Sequence, residues 1–319
     1  MKLFTQIPLS TAQSQIDYSS RLLLLGSCFS ENIGAKFSHF KFLNEHNPLG
    51  ILFHPLAIEK LIDKAIHEQL FTENDIFNDN ERWHCFDAHS KLSNSSKEKI
   101  ITDLNSAIGL TQVQLTKASH VIITLGTAWV YRKTSNQQIV ANCHKVPQTN
   151  FTKELLDCKT IEQSLARMMS LVQSVNPTVE FIFTVSPVRH LKDGFVENQL
   201  SKSHLISAIH EVVKLDGASY FPSYEIMMDE LRDYRFYAKD MVHPNEIAID
   251  YVWGKFCEVW IDGSVSDTMT KVDEIQRGLK HRAFNPEGIA HQKFITSLKC
   301  KIAYIKLTYP FMDFKLPEV

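Results

Sequence analysis

The feature that most constrains this chain is a recurring alternation of short apolar segments, each ending at a small residue, with segments of helical periodicity. The clearest apolar segments cover residues 21–26, 120–125 and 179–185. Short continuous apolar runs bounded by turn residues are typical of strands that are buried on both faces. This alternation predicts an α/β protein, a three-layer α/β/α sandwich with a mostly parallel sheet between helical layers.

The segments between these predicted strands carry apolar residues at helical spacing. Helices are predicted over residues 30–40, 57–70, 96–117, 161–175, 204–215 and 246–260. A polar turn between residues 129–132 and 138–140 predicts a β-hairpin inserted after the second strand, and residues 219–221 predict a further short strand.

The alternation stops near residue 263. We therefore expect an α/β domain over residues 1–263 and a helical extension over residues 264–319, with two helices on either side of the segment 282–286. Residues 294–314 carry too many apolar side chains for a solvated tail. We expect the extension to pack on the domain or on another subunit of a homo-oligomer. On the domain it would lie near the carboxyl edge of the sheet, where it would narrow a pocket, or it would simply complete the hydrophobic core.

Charge and cysteine content exclude several classes of function. The 34 Lys and Arg residues against 36 Asp and Glu residues give a formal charge of −2, so no basic footprint predicts a nucleic-acid or membrane partner. The sequence has no apolar run long enough to span a membrane, and we expect no signal peptide. The six cysteines have wide, irregular spacings, which favours reduced thiols and a cytoplasmic protein.

Two small nucleophilic residues follow the first predicted strand, at the point where a helix begins. Catalytic residues of parallel α/β sheets lie in loops at the carboxyl ends of strands. Ser27 or Cys28 would lie at the N-terminus of this helix, whose unpaired N–H groups and dipole favour a thiolate or an oxyanion. Either residue could be the nucleophile of an acyl transfer. The alternative is that Ser27 caps the helix and Cys28 is a small core residue.

A second candidate site precedes the last helix of the α/β region. Asp240 and His243 are spaced as D-x-x-H, which can bring a carboxylate to one imidazole nitrogen and leave the other nitrogen to act as a base. The alternative is an ordinary surface turn. The D-x-x-H segment lies near the end of the alternating region and the candidate nucleophile lies near its start, which favours the catalytic interpretation.

Together these segments resemble the SGNH (GDSL-type) hydrolase superfamily and, within it, the GSCFA family. Residues 26–29 match the first four letters of the GSCFA motif, and Ser30 stands in place of its final Ala. The segment L-G-S-C-F-S-E lies over the superfamily's L-G-D-S-I-T-E, which puts Cys28 at the nucleophile position and Ser27 at the Asp position. The resemblance extends from residue 22 to about residue 260 and implies the three-layer fold and ester hydrolysis.

The other blocks of the superfamily assign further roles by resemblance. The D-x-x-H block implies that His243 is the base and that Asp240 orients it. Gly50 suits the second block, whose backbone N–H would form an oxyanion hole together with the N–H of Cys28. The third block departs from the pattern, because Ala128 stands where these enzymes have an Asn that donates a side-chain N–H.

A hydrolase without that Asn needs another donor, since losing one oxyanion donor costs on the order of 100- to 1000-fold in rate. Asn142 is our candidate, together with His144 as a donor or substrate-binding residue; Asn142 would alternatively satisfy a turn. Arg189 and His190 follow a strand end and would bind an anionic substrate group or form loop salt bridges. The histidines and cysteines lack regular ligand spacings, so we predict no metal site and no cofactor.

These features predict a hydrolase that cleaves an ester, of acyl or O-acetyl type, in a small molecule or carbohydrate. Two other classes remain open. An acyltransferase would use the same residues but exclude water and admit an alcohol acceptor. A binding protein on a hydrolase scaffold would need no catalysis, and Ala128 favours that alternative.

Overall fold

A computed structural model describes residues 5–281, 284–285 and 287–315. Its strands are β1 (Arg21–Gly26), β2 (Leu43–His46), β3 (Ile76–Asp79), β4 (Arg82–Cys85), β5 (His120–Leu125), β6 (Trp129–Lys133), β7 (Ile139–Val140), β8 (Phe151–Leu155), β9 (Glu180–Val185) and β10 (Ala218–Phe221). Its helices are α1 (Cys28–His39), α2 (Pro55–Ile66), α3 (Lys97–Lys117), α4 (Cys158–Val175), α5 (Phe195–Val212), α6 (Ser223–Glu225), α7 (Glu246–Trp260), α8 (Ser266–Lys280) and α9 (Ile289–Thr308).

Within the described residues, the central sheet has the strand order β10–β9–β5–β1–β2, and all of its neighbouring strands are parallel. The chain moves from β1 to β2 on one side and then returns to place β5 on the other side. The direction of strand succession therefore reverses between β1 and β5. Open α/β sheets form their ligand crevice at such a point, outside the carboxyl ends of the strands.

The sheet is buried on both faces. Leu23 and Leu25 of β1 pack in a core with helices α2, α3, α4 and α5, whereas Leu22 and Leu24 pack in a second core with α1, α7, α8 and α9. Alternate side chains thus enter opposite layers. Because both layers are apolar, every residue inside the strand is apolar. The predicted α/β fold, with a mostly parallel sheet between helical layers, is confirmed.

The structure differs from the predicted elements where residues lie at the surface. Strands β2 and β8 and the β3–β4 hairpin were not predicted, because their mixed polar and apolar residues lack a clear two-residue period. Helix α5 begins at Phe195 rather than at residue 204. Phe195 and Val196 are 67% and 75% exposed, so the apolar residues of this first turn do not follow the buried face.

Helix α8 of the C-terminal segment contacts the end of α1 that is remote from Cys28. Gln276 Nε2 donates to the carbonyl of His39 at 2.9 Å, and the His39 ring pairs with Asp273 at 2.9 Å. At 1.5 Å of rise per residue, His39 lies about 17 Å along the helix from Cys28. The described part of the extension therefore packs toward the amino ends of the strands, and the expectation that it narrows a pocket at the carboxyl edge is wrong.

The segment predicted between the two C-terminal helices is only partly described, and the expected absence of a membrane-spanning segment concerns the helices. Of the segment 282–286, Arg282, Ala283 and Pro286 lie outside the described residues. Across the part of the chain that the structure describes, the helices are either too short or too polar to cross a membrane.

Candidate active site

The turn from β1 into α1 presents Cys28 at the start of a helix. Ser27 has extended backbone geometry and caps the helix, because its hydroxyl accepts the N–H of Phe29 at 3.3 Å. Cys28 is the first helical residue and is half-buried. The thiol therefore lies at the positive end of the helix dipole, beside N–H groups that have no partner inside the helix.

Neighbouring elements hold this turn in place. Asn47 accepts the N–H of Gly26 through its side-chain oxygen at 2.9 Å, and Ser27 N–H donates to the carbonyl of Thr124 at 3.0 Å. Ser30, which replaces the last residue of the GSCFA motif, is buried and donates its hydroxyl proton to the Leu25 carbonyl at 3.1 Å. The backbone around the candidate nucleophile is thus fixed from both adjacent strands.

A cleft of about 790 Å³ opens at the carboxyl ends of β1, β5 and β9. Its walls come from the loops after these strands, from the β6–β7 hairpin and from the turn before α7. The lining residues are Cys28, Ile51, Phe53, His54, Thr127, Trp129, Tyr131, Val140, Ala141, Asn142, Cys143, Gln148, Val188, Arg189, His190, Leu191, Lys192, Asp193, Asp240, Val242 and His243. The cleft therefore brings together Cys28, Asp240, His243, Asn142, Arg189 and His190, six of the residues that the sequence singled out.

Asp240 and His243 form a hydrogen-bonded pair in this cleft. The distance from Asp240 Oδ2 to His243 Nδ1 is 2.6 Å, and Asp240 Oδ1 accepts the N–H groups of Val242 at 2.9 Å and His243 at 3.0 Å. Donation by these backbone N–H groups, followed by that of the imidazole, lowers the pKa of Asp240 to about 2. An ionised carboxylate can only accept, so His243 carries its proton on Nδ1 and keeps Nε2 free to accept another.

Arg189 holds the loop that carries this pair. Its N–H donates to the Val242 carbonyl at 3.2 Å, and its guanidinium donates to the carbonyl of Met241. The guanidinium also stacks on the Tyr237 ring, 4.4 Å from the ring centroid. Binding of an anionic substrate group by Arg189 stays a prediction, whereas its contacts with the Asp240 loop are direct.

His190 lines the cleft beside Arg189 and is uncharged. Its backbone N–H donates to Asn198 Oδ1 at 2.8 Å, and its ring meets Phe53 edge to face with centroids 5.6 Å apart. Burial first, and then the nearby positive charge of Lys202, lowers the pKa of His190 to about 3. A neutral imidazole offers a hydrogen bond but no charge to an anionic substrate, so its predicted binding role narrows to hydrogen bonding.

Asn142 satisfies a turn and also reaches the cleft. Its Oδ1 accepts the N–H of His144 at 2.8 Å, while its Nδ2 makes no hydrogen bond within the described residues. The free amide N–H is the group that an oxyanion hole requires. The two alternatives considered for Asn142 are therefore compatible.

Three predicted site residues are not brought to the cleft. Ser27 has no exposed surface and its hydroxyl caps α1, so a substrate cannot reach it as a nucleophile. The N–H of Gly50 donates to the Asn47 carbonyl at 2.7 Å, so it is not available as an oxyanion donor. His144 is buried behind the cleft wall, where its Nε2 bonds the Cys85 carbonyl at 2.6 Å. For Ser27 the structure has the helix cap that was the stated alternative, whereas the bonds of Gly50 and His144 are not revealed by motif spacing.

Two residues at the site escaped the sequence analysis. His54 caps α2 through Nδ1, which accepts the Ala57 N–H at 3.2 Å, and its Nε2 donates to the Val140 carbonyl at 3.0 Å. Lys202 is fully buried on α5. A signal for Lys202 existed, because it shares a helical stripe with the apolar Leu205 and Ile209, but the predicted helix began after it.

Burial has opposing effects on the thiol and on the lysine. It raises the pKa of Cys28, while the positive charge of Lys202 acts in the other direction. The Lys202 ammonium donates to the carbonyls of Gly126 at 2.8 Å and Ser186 at 2.7 Å. Burial lowers the pKa of Lys202 to about 7.

Buried neutral histidines predict that the protein loses stability on acidification. Burial lowers the pKa of both His54 and His144 from near 6.5 to about 4. Between these values the unfolded chain binds protons that the folded chain does not, so the free energy of unfolding should fall as the pH drops from 6.5 toward 4, by about 1.4 kcal/mol per pH unit and histidine. Urea unfolding at a series of pH values measures this slope. We expect a shallower slope for His54→Asn, which keeps a capping side chain, and an unchanged slope in that variant would contradict the assignment.

The described residues contain no group of three or more His, Cys, Asp and Glu side chains placed to hold a metal ion.

Comparison with known proteins gives two family matches and one distant structural likeness. A sequence model of the GSCFA family matches residues 21–256, and a model of the GSCFA domain protein C-terminal domain matches residues 272–316. No curated protein matches the chain. An acetyl xylan esterase from the rumen bacterium Butyrivibrio proteoclasticus is among the similar solved structures, with 8% sequence identity and a TM-score of 0.40. The likeness covers 81% of this chain and 66% of that one, just under two thirds of the esterase's length.

Proposed function

The chain belongs to the GSCFA family, and from that premise and the geometry of its cleft we propose that it hydrolyses an ester through Cys28, His243 and Asp240. The observation that carries the proposal is that Cys28, at the N-terminus of α1, and the bonded Asp240–His243 pair line one cleft. Nucleophile, base and orienting carboxylate are the parts of a hydrolytic triad. Their order along the chain, with the nucleophile first and D-x-x-H last, supports placement in the SGNH (GDSL-type) superfamily.

Acylation begins when His243 Nε2 takes the proton of the Cys28 thiol. The thiolate attacks the acyl carbonyl, a carbon–sulfur bond forms, and the carbonyl π electrons move to the oxygen. Collapse of this intermediate expels the alcohol, which takes the proton from His243, and leaves a thioester on Cys28. Asp240 stabilises the imidazolium that exists between these proton transfers.

Deacylation reuses the same groups. His243 Nε2 removes a proton from water, the hydroxide attacks the thioester carbonyl, and the carbon–sulfur bond breaks. The Cys28 thiolate is then reprotonated by His243, and the carboxylic acid leaves. The proposed substrate is an ester of acyl or O-acetyl type in a small molecule or carbohydrate.

Oxyanion stabilisation uses donors that are free in the cleft. Cys28 contributes its backbone N–H, since the first turn of a helix has no internal acceptor for it. Asn142 contributes Nδ2, in place of the Asn that Ala128 replaces. Ile51 lines the cleft next to Gly50, and its N–H has no backbone partner among the described residues, so it takes the role that the sequence gave to Gly50.

Trapping of the acyl-enzyme tests the nucleophile. With p-nitrophenyl acetate and an acid quench, intact-mass and peptide mass spectrometry should find an acetyl group on Cys28 in the wild type and none in Cys28→Ala. Ser27→Ala is the matched control. It loses a helix cap worth about 1 kcal/mol but should keep the adduct. An adduct on Ser27, or one that survives in Cys28→Ala, would move the nucleophile elsewhere.

The fate of the adduct separates the remaining classes of function. Hydrolysis predicts release of acetate at a rate that added alcohols leave unchanged. A new ester formed with glycerol or a sugar would instead identify an acyltransferase. A Cys28 thiol that reacts neither with the ester nor with iodoacetamide would identify a binding protein on a hydrolase scaffold.

A further inference from the structure

Lys202 is a lysine with no exposed surface and no acidic partner within the described residues. Its ammonium hydrogen bonds are to the carbonyls of Gly126 and Ser186, which follow β5 and β9 at the carboxyl edge of the sheet. Lys255, which is also buried, has Glu258 within 3.4 Å. An ammonium removed from water is costly unless an opposite charge or several dipoles compensate. Two carbonyl dipoles accept from Lys202, but a full negative charge is missing.

The missing charge can arise at Cys28. Gly126 lies directly against Ser27, because a β-carbon at Gly126 would lie 3.2 Å from the β-carbon of Ser27. The carbonyl that holds the Lys202 ammonium therefore belongs to a residue packed on the turn that presents Cys28. The Tyr224 ring centroid lies 5.7 Å from the ammonium nitrogen.

Charged and titratable neighbours define the electrostatics of this pair. A thiolate at Cys28 raises the pKa of Lys202 against the effect of burial, and the positive charge of Lys202 lowers the pKa of Cys28 against the same effect. Glu31 in the first turn of α1 opposes thiolate formation, but more weakly than Lys202 favours it. His190, which faces both Lys202 and His243, stays neutral.

We propose that Lys202 is a positioning residue whose buried ammonium group stabilises the thiolate of Cys28 from beneath the strand ends. The inference rests on the proposed function, in which that thiolate is the nucleophile. Two of the ammonium protons are bound by the Gly126 and Ser186 carbonyls, so the ammonium cannot swing away when the thiolate forms. The site then combines the N-terminus of α1 with an ammonium group that is held in position, and both favour the anionic sulfur.

Alkylation of Cys28 by iodoacetamide tests the proposal without any substrate. The rate at each pH follows the thiolate fraction, and peptide mass spectrometry isolates Cys28 from the other cysteines. Lys202→Met should raise the apparent pKa of Cys28 by about one pH unit, so that alkylation on the acidic side is about tenfold slower. Lys255→Met is the matched control, a buried lysine outside the cleft, and should leave the profile unchanged. A folded Lys202→Met protein with the wild-type profile would overturn the proposal.

Lys202→Met removes the donor of two buried carbonyls and could prevent folding. A second measurement therefore leaves Lys202 unchanged and substitutes Cys28 instead. Coupled groups shift each other equally, so Cys28→Ala should lower the pH at which Lys202 titrates. NMR of ¹³C-labelled lysine side chains measures that titration, with Lys202→Arg used to assign the signal. An unchanged Lys202 titration in Cys28→Ala would overturn the proposal. Failure of acyl-enzyme trapping, by contrast, would count against the proposed function alone, since the coupling is measured without turnover.

Discussion

Asp240→Asn is expected to lower kcat for ester hydrolysis by about 10³- to 10⁴-fold while leaving the fold intact. The substituted side chain keeps an oxygen for the N–H groups of Val242 and His243, so the turn should survive. Its amide nitrogen, however, would face His243 Nδ1, where only an acceptor stabilises the Nδ1–H tautomer and the imidazolium. Steady-state kinetics together with circular dichroism would measure both parts of this expectation.

Asp233→Asn is the matched control for this experiment. Asp233 is an exposed aspartate in the same part of the chain, it caps the next turn through the Arg235 N–H at 2.8 Å, and it does not line the cleft. We expect kcat within about twofold of the wild type, because an exposed capping carboxylate contributes to stability rather than to chemistry. Near-normal turnover in Asp240→Asn would show that the D-x-x-H turn is structural.

Gly26→Ala is expected to destabilise the folded protein by about 3 kcal/mol and to disturb the presentation of Cys28. Gly26 has a φ of +133°, which side-chain-bearing residues rarely adopt, and a β-carbon there would lie 2.1 Å from the carbonyl oxygen of Thr124. The obstacle is backbone of the neighbouring β5, so relief requires moving a central strand. Denaturant unfolding would measure the loss of stability, and the rate of Cys28 alkylation would report on the turn.

The same glycine-to-alanine substitution at Gly109 is expected to stabilise the folded protein, and it serves as the control for Gly26→Ala. Gly109 lies inside α3, and a β-carbon there would meet no atom within 4 Å. The free energy of unfolding should rise by about 0.5–1 kcal/mol, since alanine is the better helix former. If both substitutions changed the free energy of unfolding equally, β1 and β5 would not pack as closely at Gly26 as the structure shows.

The parts of the fold that sequence could predict are those in which one physical cause dominates. Strands β1 and β5 begin and end at the predicted residues, because burial on both faces leaves an unbroken apolar run. Cys28 and His243 line one cleft because parallel strands end at one edge of the sheet, which places residues far apart in sequence around the same opening. Neither result depends on the details of packing.

The parts that sequence could not predict depend on individual hydrogen bonds and on the three-dimensional packing of the helices. Gly50 matches a block by spacing, yet its N–H is bonded to Asn47, and the adjacent Ile51 lines the cleft instead. His144 looks like a polar loop residue, yet it is buried against the Cys85 carbonyl. Lys202 carries the residue type that is usually most exposed, and only the three-dimensional packing of α5 shows that it is buried.

The cleft wall formed by β6, β7 and β8 belongs to a small sheet separate from the central one, and Trp129, Tyr131 and Val140 face the cleft from it. Cys28, Asp240 and His243 come instead from the ends of the central layers. Substitutions in this small sheet, including its aromatic side chains and the length of its turns, can therefore alter the cleft wall while Cys28, Asp240 and His243 keep their relative positions. Under the proposed function, the wall that would select a substrate and the residues that would act on it are separate parts of the architecture, and each can change without the other.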